Sequence, residues 1–166
     1  YTVAEARELL VRVFSQVHPE MGRFIDHAFE NRWIDLYPRE GKEGGAFCAG
    51  FHQMKISRVL TNFVGSFSDV STLAHELGHG WHNVCLERVP VLMADPPMPL
   101  AETASIFNET LLSHEVRKTA DDETRFALLE NSLMEATQVI VDIYSRFLFE
   151  SAVFEARKTH IPTAAE

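Results

Sequence analysis

The most constraining feature of this 166-residue sequence is the segment His75-Glu76-Leu77-Gly78-His79, which lies within a predicted helix. Residues four apart lie on one face of a helix, so the imidazoles of His75 and His79 can reach the same metal ion. Glu76 follows the first histidine and points beside that ion, where a carboxylate can accept a proton from an activated water. The spacing therefore predicts a hydrolytic metal site, with Zn²⁺ as the expected cofactor.

A third protein ligand has to come from outside this motif. The position six residues after His79 holds Cys85, which lies on a different face of the helix. Glu102 is the preferred ligand, because it opens the helix that follows a proline-rich loop, and that helix can pack back against the motif helix. Four acidic residues near the motif could supply this ligand: Glu87, Asp95, Glu102 and Glu109.

Two further residues lie where they could serve the same site. Glu109 is two turns beyond Glu102 on the same predicted helix face, where it could accept a hydrogen bond from the free imidazole N–H of a ligand histidine. The alternative for Glu109 is an acid on the helix surface. His82 shares a face with His75 and His79, and it either lines the cleft beside the metal or is a partly buried helix histidine.

Composition and charge exclude several classes of protein. The hydrophobic fraction of 46% is typical of a globular domain rather than a disordered chain. The net charge of −9 disfavours nucleic acid as a partner, and no apolar run is long enough to span a membrane. Cys48 and Cys85 are expected to be buried free thiols in a reducing compartment. The sequence has no signal-peptide pattern and no initiator methionine, so a processed chain or a piece of a longer one is expected.

The pattern along the chain predicts a mainly α fold, a helical zincin-like catalytic domain with a small antiparallel β element before the motif helix. We expect one domain over residues 1–166, either complete or a portion of a longer chain. The predicted elements are a helix opened by the capping box Thr2–Glu5, a second opened by Pro19, strands Ala46–Phe51 and Arg58–Phe63, a motif helix capped by Ser68 or Asp69 and ending near Glu87, a proline loop Arg88–Pro99, a helix Leu100–Lys118, and a long last helix from Asp121.

Two segments of the sequence resemble the oligoendopeptidase F family, which is related to thimet oligopeptidase. They are Ser71–His82, around the motif, and Met98–Glu109, around the expected third ligand. The resemblance implies a zinc metalloendopeptidase of the gluzincin type that cleaves oligopeptides in the cytoplasm. It also implies the residue roles reached from spacing: His75, His79 and Glu102 as zinc ligands, with Glu76 as the general base.

The same resemblance implies where a substrate binds and what the chain lacks. In the family, the substrate backbone pairs with a strand edge beside the metal, and the matching segment here is about Leu60–Val64. Asn62, Phe63, Val64 and His82 are therefore the expected substrate-binding residues. Family members are several times longer, and their C-terminal segments supply a histidine and tyrosines that stabilise the intermediate. We accordingly expect further chain segments, or a second copy in a homo-oligomer, to complete the site.

Two other functions remain open from the sequence. One is a zinc-stabilised helical domain or fragment without efficient catalysis, which the missing stabilising segments favour. The other is a metal-dependent carboxypeptidase built on the same motif. Measured activity separates the first from a peptidase, and the products (internal cleavage or release of single residues) separate the second from an endopeptidase.

Overall fold

The computed structural model describes residues 1–164, and helices predominate within them. A three-stranded sheet is formed by segments that precede the third helix in the chain. The predicted fold class, mainly α with a small β element before the motif helix, is confirmed. The elements are α1 (Val3–Val17), α2 (Pro19–Glu30), β1 (Ile34–Asp35), β2 (Phe47–Phe51), β3 (Ile56–Leu60), α3 (Phe67–Leu86), α4 (Met98–Thr119), α5 (Asp122–Thr137) and α6 (Tyr144–Ala156).

The starts of the first two helices follow from local sequence. At α1, the Glu5 amide donates to the Thr2 hydroxyl at 3.2 Å, and the Thr2 amide donates to the Glu5 carboxylate at 2.7 Å. This is the predicted capping box, which satisfies two amides that a helix start leaves unpaired. At α2, Pro19 occupies the first turn and the His18 ring accepts from the Glu20 amide at 3.3 Å.

The sheet contains one strand that the sequence did not indicate. β2 and β3 form the expected antiparallel pair, with Phe47 opposite Leu60. Lys55, in the left-handed region at φ 54°, closes the turn, and β3 starts at Ile56 rather than at the predicted Arg58. β1 adds parallel to β3 on its other side, with Ile34 opposite Val59. Because β1 is two residues long, it carries no alternating pattern from which it could be predicted.

The strand order β1-β3-β2 places β3 in the centre of the sheet and β2 at its edge. The amides of Val59 and Thr61 each donate at 2.9 Å to carbonyls of the β1 segment. Because successive residues in a strand point their backbone groups to opposite sides, the intervening residues of β3 pair with β2. By the same alternation, the amides and carbonyls of Cys48 and Gly50 point away from β3, toward the open edge of the sheet.

The motif helix α3 begins with a second capping box, although not at the predicted residue. Ser66 is the N-cap, and its hydroxyl accepts from the Asp69 amide at 3.1 Å. The prediction of Ser68 or Asp69 as the cap is therefore wrong. Asp69 instead closes the box from inside the helix: its Oδ2 accepts from the amides of Val64, Gly65 and Ser66 at 3.1, 2.9 and 2.8 Å. This carboxylate holds the start of α3 against the chain that leaves the sheet.

The described chain divides into two compact units, of which Tyr1–Lys118 is the first. In this unit, one apolar face of α3 packs with residues of α1, α2, α4 and the sheet, as the helical spacing of its apolar residues requires. Burial of these side chains leaves the opposite positions of α3 free for polar groups. The buried core includes Leu10, Phe14, Phe24, Ile25, Val59, Val70, Leu73, Leu77 and Leu112.

The second unit begins at Thr119. Its first helix starts as predicted, with Asp121 Oδ1 accepting from the Thr124 amide at 2.8 Å. The predicted long helix is interrupted by a π-helical turn at Gln138–Ile143 before α6. Apolar residues of this segment, such as Leu133 and Phe147, are exposed within this unit. The predicted single domain over residues 1–166 stays a prediction. None of the described helices has the length and apolar character needed to cross a membrane.

Replacing Asp69 by Asn should destabilise the fold by about 1 kcal/mol at pH 7, because the helix start loses a charge-assisted cap. Burial alone would raise the pKa of Asp69, but hydrogen bonds from the backbone and from Ser66 outweigh it and lower the pKa below its usual 3.8. The stabilisation is therefore complete above that value and is lost as the pH falls further. Urea unfolding of the wild type and the variant measures this. The difference between their free energies of unfolding should be smaller at pH 3 than at pH 7.

The matched control is Asp122→Asn, which removes the same charge from an exposed side chain in the first turn of α5. It should change the unfolding free energy by less than about 0.5 kcal/mol. Equal stability of the Asp69→Asn variant and the wild type at pH 7 would show that Asp69 does not hold the start of α3.

Candidate metal centre

The two motif histidines meet on the polar face of α3. Their Nε2 atoms are 3.2 Å apart, and their rings lie edge to face with centroids separated by 4.9 Å. Leu73, Ala74 and Leu77 are buried on the other side of the helix. The core therefore fixes the rotation of α3 that presents His75 and His79 together.

Glu102, from the first part of α4, completes the cluster. Its Oε2 lies 3.3 Å from His75 Nε2, and its Oε1 lies 3.6 Å from His79 Nε2. Four ligands around zinc at ordinary bond lengths are about 3.3 Å apart, the edge of the coordination tetrahedron. The two nitrogens are 3.2 Å apart, which matches that edge, and each of them has one oxygen of the Glu102 carboxylate at a similar distance, 3.3 or 3.6 Å. The two imidazoles and the carboxylate therefore fit a zinc ion.

A close approach of α4 to α3 at Gly78 brings Glu102 to the histidines. A Cβ atom at Gly78 would lie 2.9 Å from Asn108 Nδ2 and from Ser105 Cα, and 3.0 Å from Ala104 O. The contact is also polar, because Asn108 Nδ2 donates to the carbonyl of Ala74 at 3.2 Å. Ser105 and Asn108 are both fully buried, so α4 is held at this distance by packing as well as by a hydrogen bond.

Two residues orient the side chains of the cluster. The Glu109 carboxylate contacts His75 Nδ1, which leaves Nε2 of the same ring facing Glu102 and His79. This hydrogen bond raises the pKa of His75 against the opposing effect of burial. Ser105 Oγ lies 2.9 Å from Glu102 Oε2 and can donate to it. Sequence reasoning missed Ser105, although its position three residues after Glu102 on one helix was a usable signal.

Glu76 is enclosed beside the cluster, with 6% of its surface exposed. Burial raises its pKa to about 7; nearby His75 opposes this shift, and the carboxylates of Glu102 and Glu109 add to it. Cys48 is a half-buried free thiol on β2, the strand that packs against α3. Burial and the charge of Glu76 together raise the pKa of Cys48 to about 12. The edge strand therefore passes beside the carboxylate of the motif.

The other acidic and sulfur candidates lie outside the cluster. Among the residues that the structure describes, His75, His79 and Glu102 are the group of ligand atoms close enough to share an ion, within 4.8 Å of one another. Glu87 is 3.7 Å from Lys55, and Asp95 lies in the proline loop. Cys85 is a free thiol but is exposed, so the prediction that it is buried is wrong.

The residues expected to bind substrate have other partners. Asn62 donates both amide hydrogens, to Glu43 O and Gly45 O, each at 3.0 Å. Phe63 is buried in the core, and its amide donates to Leu36 O at 2.8 Å. The side chain of Val64 is exposed, but its amide donates to Asp69.

Within the strand edge predicted at Leu60–Val64, the backbone amides of Thr61 and Phe63 already donate to carbonyls of the β1 segment, so that side of the strand is closed. The assignment of Leu60–Val64 to substrate stays a prediction. No pattern in the sequence indicates β1, so its hydrogen bonds to Thr61 and Phe63 could not be predicted. His82 stays near the cluster, one turn after His79. Burial is the main cause that lowers the pKa of His79, and the charges of His75 and His82 lower it further.

The helix with the HExxH motif His75–His79 packs against the helix that carries Glu102, and comparison with known proteins assigns this arrangement to a family of peptidases. A profile of peptidase family M3 matches residues 11–157. The chain is 36% identical over 156 residues to the chromosomal oligoendopeptidase F of Lactococcus lactis subsp. cremoris, covering 92% of this chain and 25% of that protein. It is 38% identical over 135 residues to an oligoendopeptidase F homologue of Lactococcus lactis subsp. lactis, covering 80% of this chain and 22% of the homologue.

The chain therefore belongs to peptidase family M3, and the predicted resemblance to the oligoendopeptidase F family is confirmed. A solved structure agrees: a candidate peptidase from Chlamydophila abortus superposes with a TM-score of 0.79 at 29% identity. The superposition covers 98% of this chain and 28% of that one. The present chain spans about a quarter of the length of the relatives that it matches.

Replacing Gly78 by Ala should destabilise the first unit by about 1–3 kcal/mol, because the new methyl group meets the backbone of α4. Helix propensity alone would favour alanine by about 1 kcal/mol. A net loss of stability would therefore show that the steric conflict between α3 and α4 outweighs that gain. The control Gly44→Ala places its Cβ where no atom lies within 4 Å. Urea unfolding compares the three proteins, and a Gly78→Ala variant as stable as wild type would refute the tight approach of α4.

Proposed function

We propose that this chain carries the zinc site and the general base of a cytoplasmic metalloendopeptidase that cleaves oligopeptides. The convergence of His75, His79 and Glu102, at separations that fit zinc, is the observation that carries this proposal. Membership of family M3 and the oligoendopeptidase F relatives support it.

His75, His79 and Glu102 would hold the ion, and Glu109 would fix the ring of His75 in the orientation that presents Nε2. A bound zinc ion would supply Lewis-acid chemistry, acidifying a water molecule and polarising the scissile carbonyl. Glu76 would accept the proton of that water at its carboxylate and deliver it to the leaving amine. Its enclosed position beside the histidines suits a base with a raised pKa, because such a group can both accept and return a proton near neutral pH.

The substrate backbone would add to β2 rather than to the predicted segment Leu60–Val64. The outward-facing amides and carbonyls of Cys48 and Gly50 are free to pair with an extended peptide. Since β2 packs against the motif helix and the charge of Glu76 acts on the Cys48 thiol, a peptide bound along this edge would run past the general base. Phe47 and Phe51 are exposed on the same strand and would contact side chains of the peptide.

A second candidate is a zinc-stabilised domain without efficient turnover, because an ion held by His75, His79 and Glu102 would tie α3 to α4. Completion of the site by further chain segments or by a second copy would then be required. The test is cleavage of internally quenched oligopeptides by zinc-loaded protein, with and without a chelator. Chelator-sensitive internal cleavage supports an endopeptidase, release of single terminal residues indicates a carboxypeptidase, and bound zinc without cleavage favours the second candidate.

Replacing Glu76 by Gln should abolish chelator-sensitive cleavage while leaving the zinc content at the wild-type level. The amide keeps the shape of the side chain but cannot accept the proton. Zinc is measured by atomic emission and cleavage by fluorescence. Loss of zinc from this variant would assign Glu76 to metal binding instead of proton transfer.

Replacing Ser105 by Ala should weaken zinc binding about tenfold, because Glu102 loses the hydroxyl that orients its carboxylate. The control is Thr103→Ala. On the same helix, the Thr103 hydroxyl donates to Pro99 O at 2.7 Å and not to Glu102, so this variant should bind zinc as the wild type does. Glu102→Ala should lose far more affinity than either variant. Competition with a chromogenic chelator gives the affinities, and equal values for Ser105→Ala and Thr103→Ala would contradict the orienting role.

A further inference from the structure

A buried lysine lies in the loop that leads into the edge strand. The side chain of Lys42 is 1% exposed, although the residue belongs to the irregular segment 38–46 between β1 and β2. Burying an ammonium group is costly unless it is paired and fully hydrogen-bonded. Its partners therefore indicate what the structure gains from it.

The partners of Lys42 lie in two segments, one at the end of β1 and the other at the end of β3. Its Nζ donates to the carbonyls of Asp35, Tyr37 and Thr61 at 3.0, 2.9 and 2.5 Å. Nζ also lies 3.2 Å from Asp35 Oδ1. An ammonium group has three hydrogens to donate, so these carbonyls use its full capacity. Lys42 has no donor left for a ligand, and its contacts join the loop to the ends of β1 and β3.

Asn62, the residue after Thr61, makes the complementary attachment. Its side-chain amide donates to Glu43 O and Gly45 O, which lie one and three residues beyond Lys42. The two side chains thus cross: Lys42 reaches from the loop to the sheet, and Asn62 reaches from the end of the sheet to the loop. Together they fix the backbone immediately before β2.

The glycines of this loop have open space around them. Gly41 and Gly45 have φ angles of +76° and +80°, in the region that favours glycine. A Cβ built at either glycine, or at Gly44, would meet no atom within 4 Å. Polar contacts attach the loop to the sheet: those of Lys42 and Asn62, and the ion pair in which Arg39 donates to the Asp35 carboxylate at 2.7 Å.

We propose that Lys42 and Asn62 form a clamp that positions the edge strand β2 for pairing with a substrate backbone. The part of this inference that concerns substrate rests on the proposed function. The clamp residues do not touch the peptide; they act through the loop, which sets where the outward amides and carbonyls of Cys48 and Gly50 lie. This gives Asn62 a positioning role in place of the predicted direct contact with substrate.

Hydrogen–deuterium exchange, read by mass spectrometry on the intact chain, tests the clamp without requiring turnover. In Lys42→Met and in Asn62→Ala, amides of the fragment covering 47–51 should exchange about tenfold faster or more than in wild type. The fragment covering 67–86 should keep its wild-type rate. The control Lys118→Met removes the same charge from an exposed lysine paired with Glu115, and it should change neither fragment.

Wild-type exchange at 47–51 in the folded variants would overturn the clamp. If Lys42→Met does not fold, Asn62→Ala decides the matter alone, because that side chain is only half-buried and removes one attachment of the loop.

The substrate role is read from cleavage of a quenched oligopeptide by zinc-loaded protein. Both variants should raise KM severalfold and leave kcat within about twofold, the pattern for lost binding that is common to ground and transition states. Faster exchange with an unchanged KM would show that β2 is positioned by the clamp but is not the edge that binds substrate. A wild-type chain that binds zinc but cleaves nothing would count against the proposed function, while the exchange result would still decide the clamp.

Discussion

The candidate centre depends on the close packing of α4 against α3 at Gly78. The histidines come from one helix and Glu102 from the next, so their separation is set by how near the two helix axes can come. A side chain at Gly78 would collide with the backbone of Ser105 and Ala104. Asn108 adds a buried hydrogen bond to Ala74 O at the same level of the helices. The distances between the metal-binding atoms are therefore set by a contact between the helices in which no metal-binding residue takes part.

The charge distribution around this contact is a second constraint. Three carboxylates, those of Glu76, Glu102 and Glu109, lie around the two imidazoles in a partly enclosed space. Burial and the two neighbouring carboxylates disfavour the ionised form of Glu76, which is why its pKa rises to about 7. A divalent cation held by His75, His79 and Glu102 would offset that repulsion. The cluster is thus matched in charge, as well as in spacing, to the ion that we propose.

The short strand β1 determines which edge of the sheet is open to a peptide. Without β1, the strand β3 would offer its edge to a peptide, as the resemblance to the family implied. With it, the amides of Val59, Thr61 and Phe63 are committed to carbonyls at residues 33–36, and β2 becomes the edge beside Glu76. Lys42 and Asn62 then hold the loop before β2 from two directions.

The sequence by itself determined the features that depend on neighbours within a few residues. The capping box at Thr2, the helix start at Pro19, the spacing of His75 and His79, and the mainly α class all follow from local hydrogen bonding and helical periodicity. The placement of Glu102 and Glu109 could also be anticipated, because a helix after a loop of that length can return along α3. Tertiary structure alone decided the pairing of β1, the engagement of Asn62 and the burial of Lys42. The reason is distance along the chain: β1 pairs with residues 25 positions away, Asn62 donates to carbonyls 17 and 19 positions away, and Lys42 donates to Thr61 O, 19 positions away.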